Sequence, residues 1–337
     1  MGELELAKLD KQLSYSLNVD EITPDYFVMH YAEFIPRVIA KGNPSSDTMR
    51  HYCNQIDFFI RWCLEKQRHP LVIHEYQMLM YREFLLNRQY KPDSIQIMLA
   101  AVRAFYSAAK KLELITINPA ADVEAPTIGA TNDAMLHFYT PLQMNEVIHI
   151  FAEDKDPFTR YRNKLILYLM GVEGLRNIEV HRACLQDINW EAKVIMIRGK
   201  GAKGRMEPIY PCDETFELLE DYIKAIPTDH EVKKDGVLTP LILSSSNRNY
   251  LGRISRNGIR SIMNKALAAC NLKHPGYSCH VFRHSCGTNL YRETKDLRLV
   301  QEYLRHRDPK VTARYAHVAN RLSKRYTSKL VPHDDKP

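Results

Sequence analysis

The stretch KVIMIRGKGAKGRMEPIY, residues 193–210, decides the fold class of the second half of this chain. Residues 193–198 alternate apolar side chains with others, which is the pattern of a half-buried strand. A loop rich in glycine and lysine follows, and residues 206–210 resume the extended pattern. Two short strands joined in this way predict an antiparallel β-hairpin with a basic tip.

Outside the hairpin, apolar residues recur at three- and four-residue steps and predict helices. In the first half we expect them at about 24–41, 46–66, 70–89 and 93–112. In the second half we expect them at about 141–151, 157–172, 213–226, 253–271, 280–292, 295–304 and 308–317. Ser45 or Ser46 should cap the second helix, and Pro92 should lie in the first turn of the fourth. The predicted fold is mainly α, with a small antiparallel β-hairpin or sheet.

Length and composition indicate two domains. A chain of 337 residues is long for one hydrophobic core. A segment with two prolines, many small residues and no sustained periodicity separates the two helical halves, as expected for a linker. We therefore divide the chain into a polar leader (1–20), a helical domain (21–116), a linker (117–137), a mixed domain (138–318) and a C-terminal tail (319–337).

Charge is distributed unevenly between the halves. The net charge of the chain is +7, with 14 Lys and Arg against 17 Asp and Glu in residues 1–137 and 33 against 23 in the remainder. A basic second half favours a polyanionic partner, although a solvated charged surface gives the same pattern. The seven cysteines follow no repeating spacing, which favours a reducing compartment over a disulfide framework. No signal peptide or apolar stretch long enough to span a membrane is evident, so we expect a soluble, cytoplasmic protein.

Five features of the second half carry side chains suited to chemistry on phosphate. Each is weak alone, because a single arginine, basic turn or tyrosine usually has a structural role. They are GLRNIE with Arg176, the hairpin tip with Lys200, HVFRH with His280 and Arg283, LRH with His306, and ARY with Tyr315 nine residues later.

In this order and spacing the five features resemble the tyrosine recombinase family, which includes phage integrases and Xer-type enzymes. The family pattern has Arg in G-L-R-x-x-E, Lys in G-K-G-x-K-x-R, then H-x-x-R-H, L-G-H, and Tyr nine residues on. One departure is Arg305, which stands where the family usually has glycine. The functional side chains remain in place, and the sequence leaves the effect of this change on the local turn open. The resemblance covers nearly the whole chain and is specific at motif level over about 171–318.

The resemblance implies a site-specific DNA recombinase that cleaves and rejoins DNA through a 3′-phosphotyrosyl intermediate. Tyr315 would be the nucleophile and Lys200 the general acid for the leaving oxygen. Two arginines, Arg176 and Arg283, suit the charge on the phosphate because their planar guanidinium groups stay charged and bind two oxygens at once. His280 would assist the nucleophile's proton or hold the phosphate, and His306 would bond a phosphate oxygen. No cofactor or metal is expected.

Partners and assembly also follow from the resemblance. The expected partner is double-stranded DNA, gripped by two domains that form a clamp, with a homotetramer on two recombination sites and accessory excision or DNA-bending proteins. The helix at 93–112, with Arg103, Lys110 and Lys111, is a candidate for groove contact or simply a bundle helix with a basic edge. The tail after Tyr315 would dock on a neighbouring protomer.

Three other interpretations were weighed. A zinc site at Cys279, His280, His284 and Cys286 lacks the HExxH glutamate and any C-x-x-C pair, so two small buried cysteines are favoured. A type IB topoisomerase uses similar chemistry, and a DNA-binding relative without catalysis would need fewer of the six residues. Among recombinases, the long leader favours integration or excision of a mobile element or phage over Xer-type dimer resolution.

Overall fold

The computed structural model describes residues 22–126, 137–199, 205–306 and 308–322. Contacts between residues divide the chain into two units, Met1–Asn132 and Asp133–Pro337. Parts of three predicted segments lie outside the described residues: the leader, residues 127–136 of the linker, and the tail beyond residue 322. Lys200 and Lys203 of the hairpin tip also lie outside them.

The first unit is helical in all its described regular elements. Its helices are α1 (Pro24–Phe34), α2 (Ser46–Glu65), α3 (Glu75–Asn87) and α4 (Pro92–Lys111). Ser45 caps α2 by accepting a hydrogen bond from the amide of Thr48 at 3.2 Å, and Pro92 is in the first turn of α4, as predicted. Helix α4 packs against α1, α2 and α3 and contributes ten buried residues, so it forms the centre of this core.

Two predicted helix boundaries in this unit are wrong. The first helix was expected to reach residue 41 but ends at Phe34, where Ile35–Arg37 forms a 3₁₀ turn. Pro36 explains the break, because proline has no N–H and its ring clashes with the preceding helical turn. The third helix was expected from residue 70 but begins at Glu75, after a 3₁₀ turn at Pro70–Val72.

The second unit combines eight described helices with one small sheet. The helices are α5 (Pro141–His149), α6 (Pro157–Gly171), α7 (Asn177–Arg182), α8 (Asp213–Lys224), α9 (Arg256–Ala269), α10 (Cys279–Thr294), α11 (Leu297–Tyr303) and α12 (Pro309–Leu322). The sheet has the antiparallel order β1 (Ile188–Asn189), β2 (Val194–Arg198) and β3 (Met206–Ile209). Strands β2 and β3 form the predicted hairpin, and β1 was not predicted because a two-residue strand has no detectable alternation.

Helix α10 carries His280, Arg283 and His284, three of the side chains discussed below. It packs against α6, α11 and α12, and Val281, Phe282 and Arg283 on it are buried. Within the part of the chain that the structure describes, no helix has both the length and the apolar character needed to cross a membrane.

Candidate active site

One cavity of about 370 Å³ in the second unit collects the side chains that the sequence analysis singled out. Five of the six predicted site residues line it: Arg176, His280, Arg283, His306 and Tyr315. The sixth, Lys200, lies outside the described residues, but its neighbour Gly199 is on the cavity wall. The other lining residues are Glu207, His284, Arg305, Asp308 and Val311.

Arg176 is held at the N-terminus of α7 by a tight turn. Gly174 precedes it with φ +65°, a conformation that side chains disfavour, and a Cβ there would lie 2.5 Å from Leu304 Cδ2. Glu179, three residues after Arg176, accepts hydrogen bonds from its backbone N at 2.9 Å and its Nη1 at 2.7 Å. The G-L-R-x-x-E pattern therefore fixes one guanidinium group at the start of a short helix.

Arg283 enters the same region from α10 and is almost completely buried. Its guanidinium donates hydrogen bonds to the carbonyl oxygens of Gly174 and Leu304. Burial, and then the charge of Arg176, lower the pKa of Arg283 to about 10, so the side chain remains charged at neutral pH. This arginine joins the turn before α7 to the end of α11.

Glu179 is shared by three arginines. Its side chain is fully buried, with Oε1 2.7 Å from Arg176 Nη1, and Oε2 3.0 Å from Arg305 Nη2 and 3.9 Å from Arg283 Nη1. Burial raises the pKa of this carboxyl group, but Arg305, Arg176 and Arg283 outweigh that effect and hold it below its usual value. Glu179 is thus a buried carboxylate that orients the positive groups of the cavity.

Arg305 ends helix α11 in a Schellman motif. The amide of His306 donates to Gln301 O at 3.0 Å and the amide of Arg305 donates to Glu302 O at 3.0 Å, while Arg305 has φ +53°. This is the position where glycine is preferred, and a side chain there costs about 1–2 kcal/mol. Arg305 adopts the left-handed conformation that glycine takes readily, so the turn forms with arginine at this position.

His306 follows Arg305 and points into the site from the α11–α12 connection. Its Nδ1 is 3.0 Å from Thr312 Oγ1, and the residue is 9% exposed. Burial, followed by the charges of Arg283 and Arg176, lowers the pKa of His306 to about 3. The ring is therefore neutral at pH 7, with one nitrogen oriented by the threonine hydroxyl.

Tyr315 is buried. Its residue exposure is 1%, and its ring stacks on His306 with centroids 5.9 Å apart. Gly287 on α10 makes room for it, because a Cβ there would lie 2.8 Å from Tyr315 Cζ. Tyr303, at the end of α11, is half-buried and donates to Glu173 Oε2 at 2.8 Å.

The histidine beside the phenol is His284, which the sequence analysis did not select as a site residue. His284 Nδ1 lies 3.3 Å from Tyr315 Oη, whereas His280 is exposed on the cavity wall. Burial, then the nearby His280 and Arg283, lower the pKa of His284 to about 4. The signal was present in the sequence, because the last histidine of H-x-x-R-H is one helical turn from the first.

The Tyr315 hydroxyl is not ionised in this arrangement. Burial raises its pKa to about 12, although the charges of Arg283 and Arg176 act in the opposite direction. A neutral His284 ring can accept the phenol proton in a hydrogen bond through Nδ1. Attack by this oxygen therefore requires that its proton be removed during the reaction.

The two cysteines near the cavity do not form a metal site. Cys279 and Cys286 are buried and free, as the sequence analysis favoured. Among the residues that the structure describes, no group of three or more His, Cys, Asp or Glu side chains is arranged to hold a metal ion.

Comparison with family models decides the relationship. Residues 140–321 match the phage integrase family, and residues 32–112 match the phage integrase N-terminal SAM-like domain. This chain belongs to the phage integrase family. It is therefore a tyrosine recombinase, and members of this family catalyse DNA cleavage and rejoining.

Curated relatives of this tyrosine recombinase are named tyrosine recombinase XerC. The protein of Thermodesulfovibrio yellowstonii is 29% identical over 291 residues, which is 86% of this chain and 91% of the relative. That of Pediococcus pentosaceus is 27% identical over 279 residues, covering 81% and 88%.

Solved structures of similar fold include complexes with DNA. XerH recombinase in a post-cleavage complex with palindromic difH has a TM-score of 0.66 at 19% identity, over 83% of this chain and 79% of that one. A lambda integrase tetramer bound to a Holliday junction has a TM-score of 0.63 at 16% identity, over 98% and 83%. At these identities the likeness establishes the fold, a SAM-like domain followed by a catalytic domain.

Proposed function

We propose that this tyrosine recombinase is a site-specific recombinase that attacks DNA with Tyr315 and forms a 3′-phosphotyrosyl intermediate. The observation that carries the proposal is the cavity itself. It brings one tyrosine together with three buried or half-buried arginines and three histidines within a single basic pocket. These side chains come from four separate segments of the chain, and a fold without this function has no need to bring them together.

The roles follow from the chemistry of phosphoryl transfer. Arg176 and Arg283 meet the negative charge on the non-bridging oxygens, and His306 donates to one of those oxygens. The Tyr315 oxygen forms a bond to phosphorus while the bond from phosphorus to the 5′ oxygen breaks. Lys200 donates a proton to the departing oxygen. The new phosphotyrosine keeps the energy of the broken linkage, so rejoining needs no nucleotide hydrolysis.

The proton of the Tyr315 hydroxyl needs an acceptor. His284 is at hydrogen-bonding distance of the hydroxyl in this structure, while His280 is on the wall of the same cavity. We propose that His280 binds the phosphate or accepts the Tyr315 proton when DNA is bound. We propose that His284 holds the Tyr315 hydroxyl by a hydrogen bond before attack. Replacing each histidine by glutamine separates the roles, because only His280→Gln should slow single-turnover cleavage.

The experiment that tests the proposal is trapping on a nicked suicide substrate, in which cleavage releases a short strand and prevents rejoining. The wild-type protein should form a covalent adduct with DNA on its 3′ side. Mass spectrometry of the digested adduct should find the nucleotide on the peptide that contains Tyr315. An adduct on a 5′ phosphate, or on another peptide, would contradict the proposed chemistry.

Trapping and plasmid relaxation together separate the related functions. A type IB topoisomerase would relax supercoiled plasmids without sequence preference, and a binding protein without catalysis would form no adduct. A recombinase should cleave only at its own site, and its binding to DNA should weaken steeply with salt because most contacts are to phosphates. Binding that does not change with salt would argue against the expected two-domain clamp.

We propose that the reaction runs in a homotetramer on two DNA sites in the cytoplasm, where accessory excision or bending proteins would select the direction. The first candidate role is integration or excision of a mobile element or phage. The XerC relatives support the second candidate, resolution of chromosome or plasmid dimers. Attachment-site repeats flanking the gene would identify an integrase, whereas recombination at a chromosomal dimer-resolution site would identify a Xer-type enzyme.

A further inference from the structure

Arg305 places a third guanidinium group on the wall of the cavity, at a position where family members usually have glycine. Its side chain lines the same pocket as Arg176, Arg283 and Tyr315, and it is 9% exposed. Because glycine has no side chain, the family pattern predicts no cation here. The third charge is therefore a property of this chain.

The hydrogen bonds of Arg305 are incomplete. Nη2 bonds Glu179 Oε2 at 3.0 Å and Nη1 donates to Tyr303 O at 3.0 Å. Its Nε is buried and has no acceptor among the described residues. A buried donor without an acceptor is costly, so such a group indicates either strain or a ligand that supplies the acceptor.

A purely structural role does not explain the arrangement well. Glycine would suit φ +53° better, and Glu179 already pairs with Arg176 at 2.7 Å. Glu179 supplies one negative charge for three arginines, so these four side chains carry a net positive charge, although Glu207 and Asp308 also line the cavity. That net charge is unfavourable in the empty pocket and favourable when an anion enters it.

We propose that Arg305 is a third phosphate-binding arginine of this site, whose guanidinium donates to a non-bridging oxygen of the DNA phosphate that Tyr315 attacks. This inference rests on the proposed function and identifies a catalytic residue that the family pattern does not contain. In the transition state the non-bridging oxygens gain charge, and Arg305 shares it with Arg176 and Arg283. A planar, permanently charged group suits this task better than lysine.

The test uses Arg305→Gly, which restores the residue usual in the family and relieves the left-handed backbone. The variant should fold and bind its DNA site, but single-turnover cleavage of the suicide substrate should slow by about 10²-fold, the effect of losing one donor to a developing oxyanion. Arg298→Ala is the matched control, since Arg298 is 87% exposed on the same helix and outside the cavity. Its cleavage rate should equal that of the wild type, and Arg305→Lys should recover only part of the rate.

A second substrate distinguishes contact with the phosphate from an effect through Glu179. A methylphosphonate at the cleavage position replaces one charged non-bridging oxygen with a neutral methyl group. If Arg305 compensates that charge, most of the Arg305→Gly deficit should disappear on this substrate. A deficit of the same size on both substrates, or no deficit on either, would overturn the proposal. Loss of the adduct in the wild type would instead refute the proposed function.

Discussion

Replacing Glu179 by glutamine removes one negative charge from beneath three arginines and keeps the shape of the side chain. The carboxylate is fully buried, and Arg305 and Arg283 beside it have side chains that are 9% and 5% exposed. Removing one partner of a buried ion pair costs about 3–5 kcal/mol, because the other charge stays buried without compensation. For a unit of this size that loss lowers the unfolding temperature by roughly 6–20 °C.

The chain offers a matched control for this prediction. Glu302 pairs with Arg298 at 3.0 Å, the same distance as the pair of Glu179 and Arg305, but its side chain is 67% exposed. Exposed pairs contribute about 0–1 kcal/mol, so Glu302→Gln should change stability little. The double variant Glu179→Gln with Arg305→Gly should lose less than the sum of the single changes, since one uncompensated charge is removed.

Urea unfolding of DNA-free protein measures both variants in one assay. The chain has two tryptophans, Trp62 in the first unit and Trp190 in the second, so a Trp62→Phe background makes fluorescence report on the second unit alone. We expect Glu179→Gln to lower the free energy of unfolding by about 3–5 kcal/mol relative to this background. If the free energy of unfolding of Glu179→Gln fell by an amount within about 1 kcal/mol of that for Glu302→Gln, the buried carboxylate would not be what stabilises the three arginines.

Three further predictions follow from the same geometry. Gly287→Ala should destabilise the second unit by about 1–3 kcal/mol in urea unfolding, because the added Cβ would overlap the Tyr315 ring. The cost of that overlap outweighs the gain of about 1 kcal/mol in helix propensity. An unchanged stability would argue against close packing of Gly287 on Tyr315. The pKa of His306 is lowered to about 3, so as pH decreases the unfolded chain binds a proton at this histidine before the folded chain does. Stability should therefore fall as pH decreases from 6.5 towards 3. His306→Gln should flatten this part of the curve of unfolding temperature against pH, and an identical curve would contradict the lowered pKa of His306. Lys200→Ala should slow cleavage and be rescued by a substrate with sulfur as the 5′ leaving atom, since sulfur needs no proton; an unrescued variant would remove Lys200 as the general acid.

The sequence predicted which side chains would share a site, because each motif fixes a residue in a recognisable local element. Arg176 follows the glycine turn before α7, and Arg283 lies on the helix begun by H-x-x-R-H. Both line the cavity as expected. The order and spacing of the motifs predict which residues lie in one site, but they do not predict how deeply each residue is buried.

The burial of Tyr315 could not be predicted from its own neighbours. Arg314 and Thr312 are polar, which is typical of an exposed helix, but Thr312 is 2% exposed and bonds His306. The space for the phenol ring comes from Gly287, which is distant in sequence and on another helix. Packing between helices decides such burial, and a local hydrophobic pattern does not contain it.

The outcome at Arg305 shows a similar limit. The departure from the family glycine was visible in the sequence, but its effect on the turn could not be predicted. The structure keeps the turn, because hydrogen bonds from His306 and Arg305 to the end of α11 hold the left-handed conformation. The sequence gives no indication that the added guanidinium reaches Glu179, which is 126 residues earlier.

If Tyr315 is the nucleophile, as we propose, Tyr315→Phe should abolish covalent attachment to DNA. The change removes one oxygen, so the variant should fold and bind its DNA site with wild-type affinity while forming no covalent adduct on the suicide substrate. Tyr303→Phe is the matched control, and it should form the adduct, because the Tyr303 hydroxyl bonds Glu173 and does not line the cavity. If Tyr315→Phe still becomes attached to DNA, the assignment is wrong, and Tyr326, which lies outside the described residues, is the next tyrosine to replace.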